Sequence, residues 1–168
     1  VKMDPRVKTS PEDLQKQFNL MLKLRDRQEE MNRAILDIRD LRGQLTGIEK
    51  RWGAKNEAKG VVEQTVALRK KITGVEEELI QVNSRASEDE LNYPTKMNSW
   101  LGYLQGAVDS ADTQPTEGEL QVFAELSTRL DAQLGKWHEV LSSDLPALND
   151  AMRKNSIPLV APSSESAH

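Results

Sequence analysis

Between residues 61 and 86, eight positions recur at unbroken alternating steps of four and three: Val61, Thr65, Leu68, Ile72, Val75, Leu79, Val82 and Ala86. All but Thr65 are apolar. A strand would bring its apolar residues to one face at every second position. Steps averaging three and a half instead commit the segment to a helix with a single apolar stripe, which has to be buried against other helices. The rest of the chain agrees. Of its 168 residues, 30% are charged and 37% apolar, and good helix formers such as Leu, Glu, Gln, Lys and Arg are plentiful. The fold class is all-α.

Three further helices are legible. The first starts at Ser10-Pro11-Glu12-Asp13, where a capping hydroxyl, a proline suited to the first helical position and two acids meet the positive end of the helix dipole. Its face begins with Leu14, Phe18, Met21 and Leu22 and continues through Met31, Ala34, Ile35, Ile38, Leu41, Leu45 and Ile48 to about Arg51. Gly43 and Gly47 lie on this stretch, so the helix either frays there or admits a close neighbour. Gly53-Ala54-Lys55-Asn56 forms the turn into the heptad helix, which fades in Ser87-Glu88-Asp89-Glu90. A shorter helix runs from about Thr95, a cap after Pro94, to Val108, with Met97, Trp100, Leu101, Leu104 and Val108 on its apolar face. The last helix opens with a capping box, Thr116 with Glu119. Its seam is Leu120, Phe123, Ser127, Leu130, Leu134, Trp137 and Leu141, extended by Leu145, Leu148 and Met152. Pro146 predicts a kink, or a fresh start capped by Asp144.

These elements predict an antiparallel three-to-four-helix bundle over residues 10–158. Residues 1–9 are a short non-helical segment, either the exit strand of an upstream β domain or an irregular linker, and 159–168 form a loose tail. Phe18, Trp52, Trp100, Phe123 and Trp137 need a wider core than a two-stranded coiled coil offers, so the bundle is expected to form within one chain and to be monomeric as an isolated domain. Tryptophans on different long helices are also similar to those of spectrin repeats, although any three-helix bundle needs large core residues.

Composition and motifs argue against most chemistry. Residues 1–60 carry a balance of +4 and residues 61–168 one of −8, but Arg25-Asp26-Arg27 and Arg39-Asp40-Leu41-Arg42 interleave the signs, so no nucleic-acid face is expected. No apolar run approaches a membrane span, and there is no cysteine. His138 and the terminal His168 are the only histidines; with no Glu-x-x-His pair and no ligand cluster, no metal site is expected. His138 reads as a surface residue. The carboxylates Glu29/Glu30 and Glu76/Glu77/Glu78 read as solvated faces. Gly43-x-x-x-Gly47 lacks the ending of a phosphate loop, and no nucleophile elbow occurs. No catalytic, cofactor-binding or metal residue is therefore assigned. Trp100 and Trp137 fall in phase with their stripes and are expected in the core. Trp52, at a helix end, is the best candidate for contact with a neighbouring domain, and Asp89-Glu90-Leu91-Asn92-Tyr93-Pro94 reads as a helix connection.

Several short motifs converge on one family. They are Val1-Lys2-Met3-Asp4-Pro5-Arg6-Val7, Asp13-Leu14-Gln15 with Gln17-Phe18, Leu91-Asn92-Tyr93-Pro94, Pro115-Thr116 with Gln121-Val122-Phe123, and Leu145-Pro146-Ala147-Leu148-Asn149. Together they resemble the C-terminal helical region of bacterial sortilin-like, glycosyl-hydrolase-like proteins with Asp-box (BNR-type) β-propellers. The resemblance implies a parent in which a propeller and a small β domain precede the bundle, secreted or periplasmic as a whole. No Asp-box of the Ser-x-Asp-x-Gly-x-x-Trp type occurs here, so recognition or hydrolysis in such a parent would belong to the propeller. The expected function is that of a non-catalytic C-terminal structural or interaction module, partnered by its own upstream propeller or β domain or by another protein. The alternatives are a free-standing spectrin-like adaptor and an accessory part of a glycoside-processing enzyme.

Overall fold

The computed structural model describes residues 9–84 and 92–163, of which 78% are helical, with no strand among them. Helix α1 spans Pro11–Trp52, α2 Lys59–Leu79, α3 Met97–Val108, α4 Glu117–Glu139 and α5 Leu145–Lys154. A short 3₁₀ turn, Asn56–Ala58, leads into α2, and a π-helical turn, Val140–Asp144, joins α4 to α5. The all-α bundle expected from the heptads is what the chain forms.

Side-chain contacts fix its topology as three columns. Glu49 meets Arg69, and Arg42 and Arg39 meet Glu76, so α2 runs antiparallel to the second half of α1. Lys96 lies beside Glu78, while Gln17 donates to the Val108 carbonyl at 2.6 Å. Helix α3 therefore continues the descent of α2 and covers the first half of α1. Arg27 reaches Ser127 and Asp131, and Lys71 reaches Glu139 and Asp144, so α4 and α5 climb parallel to α1. The foot of the bundle holds the starts of α1 and α4 and the end of α3; its head holds the end of α1, the start of α2 and the end of α5. At about 1.5 Å per residue, the 42 residues of α1 make a rod of about 63 Å.

Local chemistry sets the boundaries. Ser10 accepts from the Asp13 N–H at 3.1 Å with Pro11 behind it, and Thr116 and Glu119 form the reciprocal capping box. Helix α2 ends at Leu79, earlier than the heptad pattern suggests. Ile80 turns extended, and the Gln81 amide donates to the Pro94 carbonyl while accepting from the Asn83 N–H, both at 3.2 Å. These bonds offer the backbone an alternative to another helical turn. Val82 is consequently exposed, and residues 85–91, where the pattern and the acidic run continue, lie outside the described residues. Helix α3 begins at Met97 without a side-chain cap, so Thr95 does not take that role.

Two glycine expectations resolve the same way. Helix α1 runs unbroken through Gly43 and Gly47, and a Cβ built at either meets nothing within 4 Å. They neither fray the helix nor admit a neighbour.

At Pro146 the helix neither kinks into a new start nor stops. Asp144 keeps helical angles and makes no cap; instead the Leu145 N–H reaches back five residues to the Val140 carbonyl. The wide turn has a packing reason. The buried residues are Leu126, Leu130, Leu134, Trp137, Val140, Leu145, Leu148 and Met152. The step of five from Val140 to Leu145 would leave the seam in a regular helix, and one extra residue in the turn restores the phase. Leu126 takes the inward place assigned by pattern to Ser127, and Val140 that of Leu141, while Leu120 is exposed.

The segment after α5 is not loose as far as it is described. Ser156 adopts φ 54° and turns the chain back. Ile157, Val160 and Pro162 are buried. Asn149 holds both backbone groups of Val160, at 2.8 and 3.0 Å, and Gln44 holds both of Ala161, at 2.6 and 3.2 Å. Ser163 closes the strap by donating to Asp40 at 2.8 Å. The expected boundary of a loose tail at 159 is therefore too early; the bonds from Gln44 and Asp40 that hold it join residues more than a hundred positions apart. Residues 164–168 and the N-terminal segment 1–8 lie outside the described residues.

Candidate functional site

The most polar interior feature is a carboxylate. Glu76 is fully buried, its relative exposure 0%, and it overturns the reading of the Glu76/Glu77/Glu78 run as a solvated face. Arg39 Nε donates to its Oε1 at 2.6 Å and Arg42 Nη1 to its Oε2. Glu76 stands next to Val75 and between Ile72 and Leu79 on the α2 seam, so the helix carries it inside whatever its charge. Two guanidiniums one turn apart on α1 meet it there and keep contact with water themselves. A carboxylate with both oxygens satisfied by cations is stable in place, and it fixes the axial register of α2 against α1. It has no open side for a substrate.

The other charged groups pair along the surface. Arg69 donates to Glu49 at 2.6 Å, which raises its pKa above the ordinary guanidinium value. Hydrogen bonds to Asp144 and then to Glu139 raise Lys71 above the usual lysine range. At the foot, a hydrogen bond from Lys16, with a second from Ser10, lowers the Asp13 carboxyl. Glu29 pairs with Arg33 and Glu30 with Arg27, so this acidic pair is a solvated, ion-paired face. His138 is exposed beside it, on the rim of a cleft that also includes Asp26, Asp37 and Leu141. Among the described residues no group of three or more acids or histidines is placed to hold a metal ion, and no helix is long and apolar enough to cross a membrane.

The tryptophans divide. Trp137 is buried in the α4 seam as expected. Trp52 is half-buried at the end of α1, with the Lys55 ammonium 3.9 Å from its ring centroid and its indole N–H buried without a hydrogen-bond partner. Trp100 is 43% exposed, a correction to its expected place in the core. The four inward positions of α3 go to Met97, Leu101, Leu104 and Val108, and Trp100 falls on the flank of that stripe. There it meets Tyr103, itself 55% exposed, edge to face at 6.1 Å. Tyr93 and Pro94 lie nearby, lining with Tyr103, Asn98 and Ser99 a half-open cleft of about 240 Å³. The described part of the connection at 89–94 thus belongs to a surface rather than only to a loop; Asp89, Glu90 and Leu91 lie outside the described residues.

Phe18 is a second correction. Expected on the buried face of α1, it is 56% exposed, because Leu20 and Leu24 take the inward positions. Leu120 and Val122 are exposed on the opening turns of α4. The Lys16–Gln114 hydrogen bond, 3.1 Å, ties α1 to the loop before α4, so these residues share one end of the molecule. The signal that finds the α3 surface was present in the sequence: Met97 to Val108 contains no charged residue in a chain that is 30% charged.

Comparison of the chain with protein-family models, with curated proteins and with solved structures gives no match.

Proposed function

We propose that this chain is a non-catalytic structural and docking module, the helical end of a longer protein of the sortilin-like, Asp-box propeller kind, seated on a preceding β domain through its foot. The observation that carries the reading is that Phe18, Leu120 and Val122 are all exposed near the end of the bundle where the chain enters α1. Large apolar side chains gathered at one end mark an interaction surface more often than scattered ones do. The motifs quoted above supply the kind of neighbour. Its location would be that of the parent, secreted or periplasmic.

The native gene upstream of Val1 decides the matter first: Asp-box repeats followed by a small β domain support the reading, and a start codon at Val1 sinks it. In the longer protein, Phe18→Glu with Leu120→Glu should release the bundle from its neighbour, seen as a separate thermal transition, while leaving the isolated bundle folded.

A second reading, a free-standing adaptor, is favoured by a shallow trough between α2 and the α4–α5 column. Ala67, Lys71 and Gly74 line one side of it, and Gln133, Lys136 and Ala147 the other. Ala67, Gly74 and Ala147 leave room there for a partner helix, which would have to pass over Lys71 and its ion pairs with Glu139 and Asp144. Capture of one helical ligand there, abolished by Ala67→Trp, would favour the adaptor.

A further inference from the structure

We infer that the groove between α1 and α5 at the head is a binding site for an extended, proline-containing segment of a partner protein, and that the strap is its tethered occupant. This goes beyond the foot contact proposed above and does not rest on it.

The strap displays the chemistry of the ligand. It reads Ile157-Pro158-Leu159-Val160-Ala161-Pro162-Ser163. Two side-chain amides, one from each wall, each grip both backbone groups of one residue. Asn149 of α5 donates to the Val160 carbonyl at 2.8 Å and accepts from the Val160 N–H at 3.0 Å. Gln44 of α1 donates to the Ala161 carbonyl at 2.6 Å and accepts from the Ala161 N–H at 3.2 Å. A residue turns its N–H and C=O to the same side when it is extended, so these pairs read backbone shape and not side-chain identity. Gln44 is also preset from within α1: it donates its second amide hydrogen to Asp40 at 3.0 Å, which fixes the orientation of the amide.

Selection comes from the pockets. Ile157, Val160 and Pro162 are buried, while Leu159 between them is 49% exposed. The matching ligand has one apolar residue, a second three positions on, and a proline two beyond that. Pro158 and Pro162 fix their own φ and push Ile157 and Ala161 toward extended backbone. A segment of this pattern therefore arrives with little freedom left to lose.

The tether is the weak part of the closed arrangement. Helix α5 ends in a Schellman turn, in which the Ile157 N–H reaches the Met152 carbonyl at 2.9 Å and the Ser156 N–H the Arg153 carbonyl at 3.2 Å. That turn sets Ser156 at φ 54°, and among the described residues it is the one non-glycine with a positive φ. Glycine adopts this conformation freely and serine does not. Seating the strap thus carries a strain that a separate segment in the same groove would not carry. A second copy would bring the same strap with the same competitor, so exchange would gain only the release of Ser156. A partner's segment can add contacts of its own where Leu159 faces water. The tethered strap competes at an effective concentration on the order of 1 mM, so binding in trans is weak until the strap is held out.

The probe is a fluorescent peptide of the strap's own sequence, residues 157–163, followed by anisotropy on the full chain. Ser156→Pro forbids the left-handed angle and removes the N–H that closes the turn, yet leaves the groove intact. It should bind the peptide at least about tenfold tighter than the unaltered chain. Adding Gln44→Ala and Asn149→Ala to it should weaken binding by about tenfold or more. In the peptide, Val160→Asp should abolish binding, and Leu159→Ser should change it by less than about twofold. Circular dichroism checks folding; should Ser156→Pro fail to fold, Val160→Asp in the chain frees the groove by a second route and should show the same gain. Freed grooves that ignore the peptide overturn the inference. So does a Ser156→Pro chain that sediments as a dimer and keeps its partner's strap against excess peptide, because the occupant would then be a second copy.

Discussion

The head and the foot of this bundle use the same repeat to different ends. In the head, α1, α2 and α5 close around Leu41, Leu45, Ile72 and Met152. Glu76 is locked by two arginines, and the strap from Ile157 to Ser163 is stitched to α1. In the foot, α1 is covered by the short α3 and the start of α4, and Phe18, Trp100, Tyr103, Leu120 and Val122 remain in water. The head locks its buried charge and its strap into its own fold, although Leu36, Val66 and Leu159 stay exposed there. The foot holds large apolar groups back from its own core, and a region that does so has surface to offer a partner. Interlocked packing and exposed aromatic surface are thus unevenly shared along a single rod, though the heptad pattern runs through both parts.

The comparison can be broken most severely in the head. Replacing Arg39 and Arg42 together by alanine strands a buried carboxylate and should cost about 3–5 kcal/mol in denaturant unfolding. A loss under about 1 kcal/mol would mean water already reaches Glu76. Leu134→Ala, midway along the α4 seam, should cost about 2–5 kcal/mol, and a much smaller loss would mean the seam is misassigned. Next comes the strap. Gln44→Ala with Asn149→Ala removes the four hydrogen bonds these side chains make to the strap and should cost about 1–3 kcal/mol, with faster amide exchange at Val160 and Ala161 as the specific sign. Exchange in α3 should be unmoved, and a foot that loosened as well would erase the division. Smaller still, and of opposite sign, Gly43→Ala and Gly47→Ala should each stabilise by up to about 1 kcal/mol, because α1 is helical there and has room for a methyl.

The least effect is that of pH. Asp13, lowered chiefly by Lys16, supports the foot above its ordinary carboxylate range and loses that support as pH falls through its folded value. Lys71, raised chiefly by Asp144, supports the α2–α4 contact below its ordinary value and loses it as pH rises through the higher folded one. Neither titrates near neutrality, so thermal melting should be flat there. Asp13→Asn should remove part of the acid limb only, seen as faster amide exchange in the first turn of α1.

Much of the fold was legible because helix signals are local. Ser10-Pro11, Thr116 with Glu119, and the Gly53 turn each act within four residues, and the sequence names them without help. What escaped was either non-local or hidden by ambiguity of phase. Glu76 looks like its exposed neighbours Glu77 and Glu78 until the arginines of α1 are placed opposite. The strap depends on Gln44 and Ala161 meeting across the chain. Leu141 fits a step of four before Leu145 as well as Val140 fits a step of five, so counting alone could not find the wide turn. Trp100 and Phe18 are apolar and nearly in register, which made them look like core. Only their better-phased neighbours Leu101 and Leu20 show why they are not. The exposed aromatic face of α3 was thus half-visible: the charge-free run was legible in the sequence, but which of its residues faced out was not.

The wide turn before Pro146 has a consequence for how this chain tolerates change in length. It contains one residue more than the helix needs, and that slack separates Pro146 from the carbonyl its ring would strike four residues back in a regular helix. Deleting Ser143 would bring Val140 and Leu145 to a step of four, so both would still face inward and the seam beyond would keep its phase. The proline would then be the sole obstacle, and Pro146→Ala in the same chain would lift it. A single-residue deletion, ordinarily ruinous in a buried helix because it rotates all that follows, would here be absorbed.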